Sequence, residues 1–501
     1  MTRMEQSLVE LIPEALLAAG AVAGLLLGAW LPRRRQWLVG VLACAVCGAG
    51  AVAAAVLATG PPATAFTGSF AADPVTGTAR IVILGSTLLV SLLGLGPLHG
   101  HPRQSEFFVL LQLAALGALM LAGAQDLLLL AAAYLLASVP SYVLAGFRKD
   151  APGTEAALKY YVVGALLGVL MLAGITVLYA AGRGSAYPLL RTELPEASAG
   201  LTAAGTVLLL AGMLFKAAGV PGHYWLPDAV QGSAAPVAAF LTTVPKIGAL
   251  AALYRLAAVP FSDTSAGWTE LVAVVSAASM TLGNLAAFFQ RDVRRLLAYS
   301  AISQVGYLLM PVAVAGRDSL AQPALLFYLA AYALTNLGAF AVVCALPRIR
   351  TLDGYRGLAR HRPALAVSLT VCLLGLVGTP PTAVFLGKLE VFGAALDGGL
   401  GWLMVLAAVN TLASLFYYLR WIAPAFAIGP SSGNGHGNGN GEGAGAGNEV
   451  PDGAGDPGGP FAPDERTAPA AAVAVAAAAL SLLLGPAAGP VLAVLDGPLA
   501  G

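Results

Sequence analysis

The chain has 501 residues, of which 58% are hydrophobic and 10% charged, with a net charge of +1 at neutral pH and a mean hydropathy of +0.80. A soluble globular domain carries about 25% charged residues, so this composition excludes a water-soluble globule and leaves an all-α polytopic membrane protein. A net charge so near zero, with basic residues scattered over short connectors, also excludes a nucleic-acid partner.

Apolar runs of about 20 residues, the length that crosses a hydrocarbon core of about 30 Å, recur about fourteen times. They lie near 8–31, 36–58, 77–98, 105–123, 126–147, 157–181, 202–225, 234–258, 268–290, 294–315, 321–346, 363–396, 400–424 and 469–496. The first is not expected to be a cleaved signal peptide, because Glu5, Glu10 and Glu14 stand where a basic region would be and a second run follows directly. Cys44, Cys47, Cys344 and Cys372 all fall inside apolar runs, where packing outweighs redox or metal chemistry. Gly48 and Gly50 resemble the start of a dinucleotide-binding loop, but no strand precedes them. No phosphate-binding loop and no hydrolytic triad is visible.

The basic connectors fall on one side of this arrangement. Arg33, Arg34, Arg35, Arg103, Arg148, Lys149, Arg291, Arg294, Arg295, Arg348, Arg350, Arg356, Arg360 and Arg362 all lie where an odd-numbered run gives way to the even-numbered run after it. By the positive-inside rule that side is cytoplasmic, and both termini are then outside.

The seventh and eighth runs carry the chemistry. Each holds one lysine, Lys216 or Lys246, and the connector LPDAVQGS that follows His223 joins them. A charge at mid-membrane costs roughly 2.5 to 3.5 kcal/mol on insertion scales, so such residues are rare and line polar paths. Pro221 follows Lys216 and Pro245 directly precedes Lys246. A proline inside a helix releases a carbonyl that a buried or wet site must satisfy, which predicts a broken backbone beside each charge. The twelfth run repeats the pattern, with a Gly-Thr-Pro-Pro break at 378–381 and Lys388 one to two turns later. Lys216, Lys246, Lys388 and His223 are the candidate ion relay. Residues 429–467 are rich in Gly, Asn and Pro with almost no apolar side chain, which predicts a disordered cytoplasmic loop; His436 within it reads as part of a solvated linker.

These residues carry a resemblance. The stretches FKAAGVPGHYWLPDAVQGSAAPVAAFLTTVPKIGAL (215–250), RDVRRLLAYSAISQVGYLL (291–309), GLARHRPALAVSLTVCLLGLVGTPPTAVFLGK (357–388) and LAAVNTLASLFYYLRW (406–421) resemble the antiporter-type membrane subunits of respiratory complex I. Within them the chain is most similar to the N subunits of bacterial NADH-quinone oxidoreductase. The resemblance implies two inverted five-helix repeats, 105–258 and 268–425, each containing a broken helix, preceded by three helices in 1–104 and followed by a C-terminal helix at 469–496. It implies proton carriers at Lys216, Lys246 and Lys388, and proton translocation coupled to electron transfer from NADH to quinone. The chain itself is then expected to hold no cofactor or metal: NADH, FMN, iron–sulfur clusters and quinone belong to other subunits. The implied partners are the A, H, J, K, L and M type membrane subunits and the lipid of a bacterial cell membrane. One position departs from the pattern, because Leu135, in YLLASVPSYVL, stands where the family has a glutamate that pairs with the seventh-helix lysine. A buried lysine without that partner bears the whole desolvation cost of its cation, which points to a divergent or duplicate copy. A subunit of a multisubunit cation/proton antiporter, and a structural subunit that has lost transport, remain alternatives, and the residues do not distinguish H⁺ from Na⁺.

Overall fold

The computed structural model describes residues 9–264, 267–427, 461–462 and 464–500, and among them helix dominates. Apart from two short connector helices, Tyr187–Glu193 and Leu358–His361, the helices in chain order are α1 Ile12–Trp30, α2 Trp37–Leu57, α3 Pro74–Leu95, α4 Gln104–Gly123, α5 Leu127–Ala145, α6 Ala151–Ala181, α7a Ala199–Ala217, α7b Trp225–Gly232, α8 Ala235–Ala258, α9 Trp268–Ala287, α10 Val293–Ala313, α11 Ala321–Ala345, α12a Pro363–Val377, α12b Ala383–Asp397, α13 Gly401–Phe426, α14 Ala468–Leu484 and α15 Ala488–Leu495. Thirteen are long and apolar enough to cross a membrane, and α12a with α12b forms one further interrupted span. A small antiparallel hairpin of β1 Ala63–Ala65 and β2 Phe70–Ala72 sits between α2 and α3.

Several helices start at an aspartate that caps them. The carboxylates of Asp73, Asp126, Asp150 and Asp292 accept from backbone N–H groups of the first turn of α3, α5, α6 and α10. Such caps satisfy donors that a helix leaves unpaired. These four connector acids are therefore committed to starting helices.

The helices differ sharply in burial. In their most apolar stretches α8 is 100% buried, α10 94% and α11 89%, against 33% for α1, α2, α6 and α13. The first three form the interior, and the others turn apolar side chains such as Leu166, Val169, Val409 and Leu412 outward. Two buried ion pairs join α3 to its neighbours. Arg80 Nε donates to Glu14 Oε1 of α1 at 2.7 Å, and Arg255 of α8 meets both Asp73 oxygens at 2.7 and 2.8 Å. Asp73 also accepts from the Ala500 N–H at 3.1 Å, and Gln322 Nε2 donates to the carbonyls of Leu495 and Gly497, so the C-terminal segment lies across these helix ends.

Three expectations change. The connector LPDAVQGS is almost wholly helical, forming most of α7b, so the seventh span is an interrupted helix. Helix α8 is not broken at Pro245 but runs continuously through it. The proline releases the carbonyl of Leu241, four residues earlier, and the Tyr332 hydroxyl braces the adjacent Thr242 carbonyl at 2.7 Å. The run at 469–496 divides into α14 and α15 at Gly485 and Pro486, where a Cβ at Gly485 would collide with the Pro381 carbonyl. Of the Gly-rich loop, 429–460 and 463, with His436, lie outside the described residues; Glu465–Thr467 forms one 3-10 turn started by Asp464.

Candidate functional site

The two interrupted spans place their lysines at broken backbone in different ways. Helix α7a ends at Ala218 in the left-handed conformation (φ 58°), where the Gly219 N–H returns to the Leu214 carbonyl at 2.8 Å. The indole of Trp225, the first residue of α7b, donates to the Phe215 carbonyl at 3.1 Å, and the Tyr160 ring stacks on it at 3.9 Å. The Val220 N–H in the break donates to Ser279 of α9 at 2.9 Å. Lys216 lies in the last turn of α7a, fully buried, where the carbonyl end of the helix favours a cation. Its ammonium donates to Ser138 Oγ of α5 at 2.7 Å and sits 5.4 Å from the centre of the Tyr134 ring.

Leu135 does not face Lys216. It is 49% exposed and turned to the outside of α5, while Tyr134 and Ser138, four residues apart, meet the lysine. Among the described residues no carboxylate lies within ion-pair distance of Lys216, Lys246 or Lys388.

In the twelfth span Lys388 reaches back from α12b to the open end of α12a. Its ammonium donates to the Val377 carbonyl at 2.8 Å and lies 3.4 Å from the Leu376 carbonyl and from Thr411 Oγ1, with the Tyr307 ring centre 4.1 Å away. A helix C-terminus leaves such carbonyls without partners, and here a side chain from the other half supplies them. Gly378 makes this possible twice over. Its φ of +89° is a left-handed turn, and a Cβ there would sit 3.0 Å from Lys388 Cδ.

Lys246 lies between these sites on buried α8 and donates to the Ala301 carbonyl of α10 at 3.1 Å. One turn further along α10, Gln304 Nε2 donates at 2.9 Å to the same Leu376 carbonyl that Lys388 approaches, and its Oε1 accepts from Tyr328. Thus α10 links Lys246 to Lys388 through Ala301 and Gln304. No hydrogen bond joins Lys216 to Lys246. His223 sits in the α7 break, 8% exposed, against the Tyr224 ring at 4.2 Å, with Nδ1 unpartnered and no bond to Lys216.

The sequence reading missed Ser138, Gln304, Tyr307 and Thr411. For α10 a signal existed: Ser300, Ser303, Gln304 and Tyr307 recur at helical spacing in an otherwise apolar run, a polar stripe that marks a buried face.

Residues 124–414 match the family model described as the NADH:quinone oxidoreductase/Mrp antiporter transmembrane family. The chain is 55% identical over 416 residues to NADH-quinone oxidoreductase subunit N 1 of Streptomyces griseus subsp. griseus, covering 83% of this chain and 88% of that one. It is 51% identical over 474 residues to NADH-quinone oxidoreductase subunit N of Mycobacterium sp. (strain JLS), covering 94% and 95%. Among solved structures, a chain of respiratory complex I from Thermus thermophilus with bound aureothin superposes with a TM-score of 0.77 at 34% identity, over 97% of this chain and 99% of that one.

Proposed function

The chain belongs to the NADH:quinone oxidoreductase/Mrp antiporter family as an N-type, proton-translocating subunit of the membrane arm of NADH-quinone oxidoreductase, and from that premise we propose that Lys216, Lys246 and Lys388 carry the proton, with His223 as an accessory group in the α7 break. The observation that carries this reading is Lys388, whose ammonium is held by the carbonyls of the helix interruption and by a ring face rather than by a carboxylate. A lysine held by neutral groups can lose its proton without stranding a buried anion, whereas breaking a buried ion pair leaves an uncompensated charge.

In this reading the subunit is a translocase component. Residues 105–258 and 268–425 form the two inverted units around the interrupted spans, and NADH, FMN, iron–sulfur clusters and quinone are bound by other subunits. Its neighbours are the A, H, J, K, L and M type subunits, in a bacterial cell membrane with both termini outside. Methionine at 216, 246 or 388 in the assembled complex tests the relay: protons moved per electron in inverted vesicles should fall while the complex still assembles. Unchanged pumping in all three variants would reject it.

A further inference from the structure

At the basic face, where α8 and α10 begin, a cavity of about 550 Å³ opens among the α3–α4, α5–α6 and α11–α12 connectors, within the size range of ligand sites. Its polar lining is unbalanced. Arg148, Arg294, Arg350 and His101 face it with one carboxylate, Asp150, and Arg103 stands beside it, over the Phe147 ring at 4.7 Å. Asp150 pairs with Arg148 at 3.1 Å and also caps α6, while Asp292 caps the start of α10. Arg294 is buried, donates from Nη1 to the Ser233 carbonyl at 2.9 Å, and has no ion-pair partner among the described residues. The charge of Asp292 acts on it attractively and those of Arg350 and Arg148 repulsively. Like charges gathered at a half-dry site are expensive unless an anion joins them, and guanidinium groups hold phosphate oxygens in paired hydrogen bonds.

The rest of the wall is apolar, including Leu98, Phe147, Val343 and Ile349. Free phosphate would leave that surface unused, whereas an amphiphile satisfies both ends. Basic pockets between helices at this membrane level suit anionic headgroups. We propose that the cavity binds an anionic phospholipid, its phosphate held by Arg294 and Arg350 and the first carbons of its chains lying against Phe147, Val343 and Ile349.

The test uses the intact complex purified in mild detergent, with bound phospholipid counted by native mass spectrometry and stability followed by thermal unfolding. The wild type should retain phosphatidylglycerol through washing, and Arg294→Gln combined with Arg350→Gln should lose one anionic lipid per copy of this chain. After delipidation, phosphatidylglycerol should raise the melting temperature of the wild type and not of the variant, and phosphatidylcholine or inorganic phosphate should raise neither. Should the double variant fail to assemble, Arg350→Gln alone, at an exposed side chain, should weaken phosphatidylglycerol retention at least tenfold. Equal retention in wild type and variant would overturn the proposal, as would inorganic phosphate reproducing the stabilisation.

Discussion

The Lys388 ammonium lies 2.8 Å from the carbonyl oxygen of Val377, the last residue of α12a, so one half of an interrupted helix is capped by a side chain of the other half. Substitutions at Lys388 therefore act on the backbone break as well as on the charge. Lys388→Glu sets a carboxylate against two carbonyls and a ring face, and should lower both assembly yield and protons moved per electron. Lys388→Arg keeps the cation and should assemble better than the Glu variant. Normal pumping by Lys388→Glu in vesicles would remove Lys388 from the relay.

The contact between Lys216 and Ser138 makes a contrasting pair of tests. Ser138→Ala takes away the hydrogen-bond partner of a fully buried ammonium, a loss of about 1–3 kcal/mol. Ser138→Glu supplies a counter-charge in reach, so in a double-mutant cycle with Lys216→Met it should show a coupling of about 1–3 kcal/mol. Leu135→Glu, on the outer face of α5, should combine with Lys216→Met additively, within about 0.5 kcal/mol. Thermal stability in detergent measures both cycles, and coupling at Leu135 instead of Ser138 would mean that α5 is rotated.

Asp73 and Arg255 form a fully buried pair that also holds Thr76 and the Ala500 N–H. Asp73→Asn or Arg255→Met alone should cost about 3–5 kcal/mol by leaving one buried charge unpaired, and Asp73→Asn with Arg255→Met together should cost less than their sum. Thermal unfolding of the four species checks this; strict additivity would show that the two side chains act independently.

Gln304 joins α10 to the α12 break and accepts from Tyr328. Gln304→Leu removes both bonds and should lower pumping more than Tyr328→Phe, which removes one. Equal pumping by Gln304→Leu and wild type in vesicles would show that α10 does not connect Lys246 to Lys388.

The spans were legible because a bilayer demands long apolar runs, and the break at 378–382 because Gly and two prolines announce it. The α7 break was harder. Its second half, α7b, is short and carries Pro227 and Asp228, so it reads as a connector. Pro245 misled in the opposite sense, since a brace from α11 supports the helix and no local pattern encodes that brace. The error at Leu135 has a different origin: matching motifs assign a residue to a position along a helix, but the direction of its side chain depends on how neighbours pack. Ser138, one turn beyond, faces the lysine instead.

The Leu376 carbonyl has two suitors, Lys388 from α12b and Gln304 from α10. Were the ammonium to swing away, Gln304 would keep that oxygen occupied and only the Val377 oxygen would be orphaned. One buried carbonyl left bare would cost about 1–3 kcal/mol rather than twice that, a bias toward the resting lysine of about five- to a hundred-and-fiftyfold. If Lys388 carries the proton as proposed, such a latch holds its ammonium in place between transfers and is still weak enough to be released.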